Sequence, residues 1–243
     1  MSPAEPAASG RNDDLLTCTA ELGEYFTLTN ETTGDWQDIP LLFDLETVAE
    51  YVDRTRYAIS GSSGCTPQRI PLRVAASSFQ LGIAARLLSP AIGAATTLGM
   101  VPLLNRDSVK WQMTPNHSPR FNVTHLKWIA GTTPASSAAA ISASLISDIL
   151  RPLCDSLQTV TGLSAKVIWG NVVSAANGAV TVLAMSRPQQ EGRGRNLVRA
   201  LMDSEYLVGT GSFIDGAFVR RSCCLFYQAP GSGLCGDCIL AQA

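Results

Sequence analysis

Residues 166–186, KVIWGNVVSAANGAVTVLAMS, carry a single charge, Lys166, and are nearly apolar on every helical face. A helix of this kind has no solvent side, so the fold has to be built around it. Two further segments share its period. Residues 74–89, VAASSFQLGIAARLLS, place Phe79, Ile83 and Leu87 on one stripe, and Pro90 is expected to end that helix, with a short Ala-rich helix after it. From Ser136 to Gly162 apolar residues recur at helical spacing, which predicts one long helix or two broken near Pro152. Asp44 reads as an N-cap before Leu45, Val48, Ala49 and Val52, Ser60 to Gly64 as a loop, and residues 188–207 as an Arg-rich helix.

Between Met100 and Ile129 the pattern changes. The stretches MVPLL, VKWQM and FNVTHLKWI alternate in part and are separated by NRD and TPNHSP, as short antiparallel strands with turns would be. The expected fold class is therefore α+β: a predominantly helical domain with a small antiparallel sheet. Residues 1–14, rich in Pro, Ala, Ser and acid, read as a disordered acidic leader. Residues 15–215 form the expected helical body and 216–243 a separate cysteine-bearing segment.

Charge narrows the function. Only 16% of the residues are charged, against about 25% in an average domain, and 46% are hydrophobic, which excludes a largely disordered chain. A formal net charge of -2 excludes a broadly basic nucleic-acid binder. That figure conceals an asymmetry: residues 1–55 hold twelve acids against Arg11 and Arg54, a net of -10, and the other 188 hold sixteen cations against eight acids, a net of +8. A cationic body favours an anionic ligand or electron carrier, while the acidic part also keeps an apolar protein in solution. The first 20 residues lack a basic region followed by an apolar run, so no secretory signal is expected and the chain is assigned to the cytoplasm. Residues 81–104 come closest to a membrane span, but Arg86, Pro90 and Pro102 point to a buried helix followed by a strand, and no transmembrane segment is expected.

Function has to come from the cysteines. Cys18, Cys65 and Cys154 are scattered, whereas Cys223, Cys224, Cys235 and Cys238 lie within RRSCCLFYQAPGSGLCGDCILAQA, a C-C-x10-C-x2-C spacing. A C-x2-C pair lets two thiolates grip one metal ion across a tight turn, and Pro230 to Gly233 form an arm able to fold the second pair onto the first. Disulfides would need an oxidising compartment. Four thiolates suit tetrahedral zinc or an iron–sulfur cluster, and residue chemistry leaves both open. Two Cys with His117 and His125 would make a Rieske-like set, which four grouped cysteines render unnecessary.

The segment resembles the FhuF-type ferric-siderophore reductase family. The resemblance rests on a basic residue before the pair (Arg220 or Arg221), Cys223–Cys224, Tyr227, the Gly-rich arm and Cys235-Gly-Asp-Cys238. Trp169-Gly170-Asn171 is similar to the family's core. The resemblance implies a [2Fe–2S] cluster held by Cys223, Cys224, Cys235 and Cys238. It also implies one-electron reduction of siderophore-bound Fe(III), of hydroxamate class, with release of Fe(II) in the cytoplasm. No G-x-G-x-x-G opens a βαβ unit, so the electron is expected from a separate ferredoxin or flavoprotein. Arg220 and Arg221 are candidates to offset cluster charge or contact an anionic siderophore. Arg187, Arg193, Arg195 and Arg199 are candidates for a pocket rim or docking face, or simply an exposed helix face. The competing readings are a siderophore-binding or regulatory protein with structural zinc, or with a sensory iron–sulfur site.

Overall fold

The computed structural model describes residues 6–114 and 118–242. Helices make up about 59% of the chain, and antiparallel strands fill in around them. In chain order the helices are α1 (Pro6–Ala20), α2 (Ile39–Leu42), α3 (Leu45–Ser62), α4 (Leu72–Thr97), α5 (Pro134–Ile141), α6 (Arg151–Thr161), α7 (Ala165–Ser186) and α8 (Glu191–Met202). The strands are β1 (Gln37–Asp38), β2 (Met100–Pro102), β3 (Val109–Met113), β4 (Pro119–Val123), β5 (Trp128–Ala130), β6 (Gly211–Ile214) and β7 (Ala217–Arg220).

The apolar 166–186 run is α7, started by the Ser164 side chain, which accepts from the Lys166 N–H at 3.3 Å. Its long partner is α4, and the two helices bury Ile83, Leu87, Ile92, Val172, Val173 and Val180 between themselves and their neighbours. Asp44 caps α3 as expected, accepting from Thr47 N at 2.9 Å. Two helices, 134–161 and 165–186, have the length and apolar character to cross a membrane, but half or more of each is covered by the rest of the fold.

Several expectations are corrected. Pro90 does not end a helix: α4 continues through it to Thr97. Every residue from Leu87 to Ala94 is buried, and that packing outweighs the roughly 3 kcal/mol cost of an interior proline. Pro152 breaks nothing either: the helical backbone runs continuously through it into α6. Nine residues of π-helix, Ser142–Leu150, join α5 to α6 and keep Leu145, Ile146, Ile149 and Leu150 in the core. Residues 6–14, expected to be disordered, lie in α1, where Leu16 is buried and Asn12 accepts from the Trp128 indole at 2.6 Å. The helix of the Ser60–Gly64 region runs on to Ser62.

The strands between Met100 and Ile129 form two small sheets rather than one. β3 pairs with β4 (Trp111 opposite Phe121) and takes β1 on its other edge, while β2 pairs with β5. A third pair, the β6–β7 hairpin, was not anticipated, although Phe213-Ile214-Asp215-Gly216-Ala217-Phe218 contains its signal. Asp215 and Gly216 both take positive φ, 50° and 83°, as an Asp-Gly turn between two strands requires.

Candidate metal centre

β7 delivers the chain to the first cysteine pair. The Arg221 N–H bonds Thr210 O at 2.8 Å, which fixes the exit of the hairpin. Cys223 and Cys224 follow, and Leu225 turns the chain sharply in the left-handed region, φ 68°. That turn aims the Leu225 N–H back at Cys223 Sγ, 3.3 Å away. A 3-10 turn, Phe226–Gln228, and the Gly-rich arm then bring the second pair home. The Cys238 N–H bonds Cys235 O at 3.2 Å, closing the C-x2-C turn, and the Arg220 N–H bonds Asp237 O at 3.2 Å. Asp237 also accepts from Ser174 Oγ of α7 at 2.5 Å, so the second pair is anchored to the hairpin and to the central helix.

Beneath the cysteines runs a buried polar chain. Arg220 Nη2 donates to Asn171 Oδ1 at 2.6 Å. Asn171 Nδ2 donates to Ser77 Oγ at 2.9 Å and to Ser77 O at 3.1 Å. Ser77 Oγ donates to Cys224 O at 2.7 Å. Asn171 is fully buried, and Arg220 and Ser77 are each 1% exposed. Burying a guanidinium is tolerable only with partners that satisfy it, and the chain supplies one of them here. Gly170 permits the approach: a Cβ there would stand 2.1 Å from Ser222 Oγ and 3.3 Å from Arg220 Nη2.

Cys224 and Cys238 are buried, and Cys223 and Cys235 are partly exposed. Cys224 Sγ and Cys235 Sγ lie 3.7 Å apart. Two ligands at about 2.3 Å on tetrahedral positions of one metal are separated by about 3.8 Å, so this pair fits a shared ion without rearrangement. The contact between the two thiols draws Cys224 down to about 6 and pushes Cys235 upward. Burial raises the Cys223 thiol, while the Leu225 N–H and the Arg220 charge oppose that rise. Among the described residues no three His, Cys, Asp or Glu side chains stand close enough to hold one ion. A two-iron cluster asks for two thiolates per iron, and a preformed pair meets that demand at one iron.

The remaining sequence candidates divide. Arg220 is not available to a docked siderophore, because its head is buried under the cysteines; Arg221 is exposed. Arg195 is tied inward to Asn177 and Thr181 and pairs with Glu191, and Arg199 lies 4.2 Å from the Phe213 ring centroid, so the basic stretch is not one uniform rim. His125 sits on a separate hollow with Asn12 and Trp36, away from any cysteine; His117 lies outside the described residues. Cys154 is 1% exposed in α6, Cys18 lies exposed on α1, and Cys65 packs against the small apolar cluster of Ile59, Ile70, Val74 and Ala229. Ser77, Ser174 and Asp237 were not foreseen as parts of the centre. No local sequence signal marks Ser77 or Ser174, while Asp237 stands inside the C-x2-C turn itself.

Residues 220–238 match the family model described as the FhuF 2Fe-2S C-terminal domain. Over 104 residues the chain is 32% identical to the ferric siderophore reductase of Escherichia coli (strain K12), an alignment covering 40% of this chain and 39% of that relative's length. The matched stretch is thus well under half of the curated relative.

Proposed function

We propose that this protein is a cytoplasmic ferric-siderophore reductase, with Cys223, Cys224, Cys235 and Cys238 as the ligands of a [2Fe–2S] cluster. Residues 15–215 serve as the docking body and 216–243 as the electron-transfer segment. The observation that carries the reading is the cysteine segment's anchorage: its two pairs are folded together and underlaid by a buried cation, in a segment that matches the FhuF-type domain.

When bound, such a cluster supplies one electron at a time, the number that takes Fe(III) to Fe(II). The chain's own residues then have three tasks. Asp237, held by Ser174, and Asn171, through Ser77, hold the two cysteine pairs in register. Arg220 favours the thiolate forms of Cys223 and Cys224 by its nearby positive charge. The partial exposure of Cys223 and Cys235 would leave a cluster held there accessible to a docked complex. Lowering the metal charge weakens every bond to the hard oxygen donors of the siderophore at once, so no acid–base residue is needed to release iron. A cluster held by these cysteines would supply to Fe(III) the one electron that a ferredoxin or flavoprotein gives it, so donor and acceptor balance.

Hydroxamate chelates, the class expected from the sequence resemblance, serve as the test substrate. Chemically reduced protein mixed anaerobically with a ferric hydroxamate should regain its oxidised visible spectrum while a ferrous chelator captures one Fe(II) per electron. NADPH alone should give no turnover. A reduced spectrum that persists with several siderophore classes present would refute the reductase function, and a colourless protein containing zinc would refute the cluster.

A further inference from the structure

The start of α7 and the segment between α8 and β6 enclose a cavity of about 450 Å3 beside the cysteines. Lys166, Trp169, Tyr206, Thr210, Arg221 and Ser222 are among its walls. Trp169 and Tyr206 stack at 4.9 Å between ring centroids with 20° between their planes, giving the cavity a flat aromatic side. The Arg151 guanidinium approaches the Tyr206 ring at 5.9 Å from its centroid. Lys166 and Arg221 are exposed, and among the described residues neither has a carboxylate within 4.0 Å. The first turn of α7, at Ala165 and Lys166, also lines the opening and adds the positive end of a 22-residue helix. Ser222 Oγ is buried without a hydrogen-bond partner. Ser222 is bonded directly to Cys223, so one Cα–Cα step of about 3.8 Å separates the cavity wall from the first cysteine.

The geometry points to this cavity as the docking site of the ferric chelate, and to a chelate of negative charge with flat chelating rings as its preferred class. The inference rests on the reductase reading and adds a selectivity to it. Three catecholate groups bring six negative charges to Fe(III) and leave the complex at 3-, whereas three hydroxamates leave it neutral. Two unpaired cations and a helix N-terminus gain little from a neutral complex and much from an anionic one. Flat aryl donors match the aromatic wall that the half-buried Trp169 and Tyr206 give the cavity. The volume lies within the roughly 300–1,000 Å3 usual for small-molecule sites. Electron transfer from this position needs no further carrier, because the chelate and the proposed ligands share one strand end.

Equilibrium dialysis of the holoprotein against gallium(III) chelates tests the site without any reduction, since Ga(III) has the charge of Fe(III) and is redox-inert. Gallium tris(catecholate), of charge 3-, should bind at least about tenfold more tightly than neutral gallium tris(acetohydroxamate) at low salt, with the gap shrinking as salt is raised. Lys166→Gln and Arg221→Gln should each weaken the anionic chelate about fivefold and leave the neutral one unchanged. Trp169→Leu should weaken both, and Arg54→Gln, on α3, neither. Unchanged visible absorbance and melting temperature in the Lys166 and Arg221 variants confirm that they fold. Equal affinity for the two chelates, or anionic binding indifferent to both charge substitutions, would overturn the proposal. Failure of the reductase reading shows separately, as gallium binding in a protein whose reduced form passes no electron to either the ferric catecholate or the ferric hydroxamate.

Discussion

Replacing Arg220 by methionine removes a full charge from beneath the cysteines while keeping most of the side-chain volume. Arg220 is 1% exposed, so its field reaches Cys223 and Cys224 with little screening by solvent. The residue stands three positions before Cys223, so at about 3.8 Å per Cα step their Cα atoms are at most about 11 Å apart, and roughly 10 Å is taken as the separation of the charge from the first pair. At an effective dielectric of about 20, a unit charge at that distance is worth about 1.7 kcal/mol. For a one-electron couple this is on the order of 70 mV, taking about 59 mV for each tenfold change. Reduction adds negative charge, which a nearby cation stabilises, so Arg220→Met should lower the potential by that amount. Arg220→Lys should restore most of it. Arg221 is exposed, and screening over the roughly 8 Å Debye length at physiological salt should leave Arg221→Gln with under half the shift, vanishing at high salt. Redox titration followed by visible absorbance, on proteins matched in iron and sulfide content, reads the difference. An unchanged or raised potential in Arg220→Met, or a larger shift in Arg221→Gln, would refute the reasoning.

Other outcomes follow from the same geometry. Cys223→Ser, Cys224→Ser, Cys235→Ser and Cys238→Ser should each lose bound iron and sulfide on elemental analysis. Cys18→Ser, Cys65→Ser and Cys154→Ala should retain them, and loss of colour in any of these three would reassign the ligands. Gly170→Ala drives a Cβ into Ser222 Oγ and should cost about 1–3 kcal/mol in urea unfolding, much of it recovered in Gly170→Ala/Ser222→Ala; no recovery would place the strain elsewhere. Asn171→Leu strips the buried Arg220 head of its acceptor and should cost about 3 kcal/mol, partly regained when combined with Arg220→Met in a double-mutant cycle. Burial holds the Cys154 thiol well above its usual pKa, in the unreactive neutral form, so iodoacetamide should spare it through mildly alkaline pH while labelling exposed Cys18; equal rates would contradict the packing.

What the sequence determined by itself was local or carried by strict spacing. An N-cap such as Asp44 acts on an N–H three residues away, and an all-apolar helix such as α7 has only one place to go. The four cysteines suggest a metal because one C-x2-C turn and one Gly-rich arm allow thiols at that spacing to approach each other, and the fold brings Cys224 and Cys235 together. The Asp215-Gly216 turn was legible too, since positive φ at two consecutive positions is a demand on those residues alone, yet the hairpin it builds was overlooked.

Only the tertiary structure decided the rest, because the partners are distant in the chain. Pro90 reads as a helix end until the layer of side chains around α4 is known. The net of +8 on residues 56–243 is partly spent within the fold: Arg86, Lys110 and Arg120 pair with Glu24, Asp38 and Glu31 of the acidic N-terminal part, while Lys166 and Arg221 keep their charge free beside the cysteines. Arg220 and Arg221 are adjacent in sequence and opposite in fate: Arg220, the last residue of β7, is buried, and Arg221, just past the strand, is exposed. Ser77 lies 147 positions from the Cys224 carbonyl it bonds, and Asn171 lies 49 from Arg220. A hydrogen bond of under 3 Å across such separations exists only after α4, α7 and β7 have packed, and no pattern of neighbouring residues encodes it.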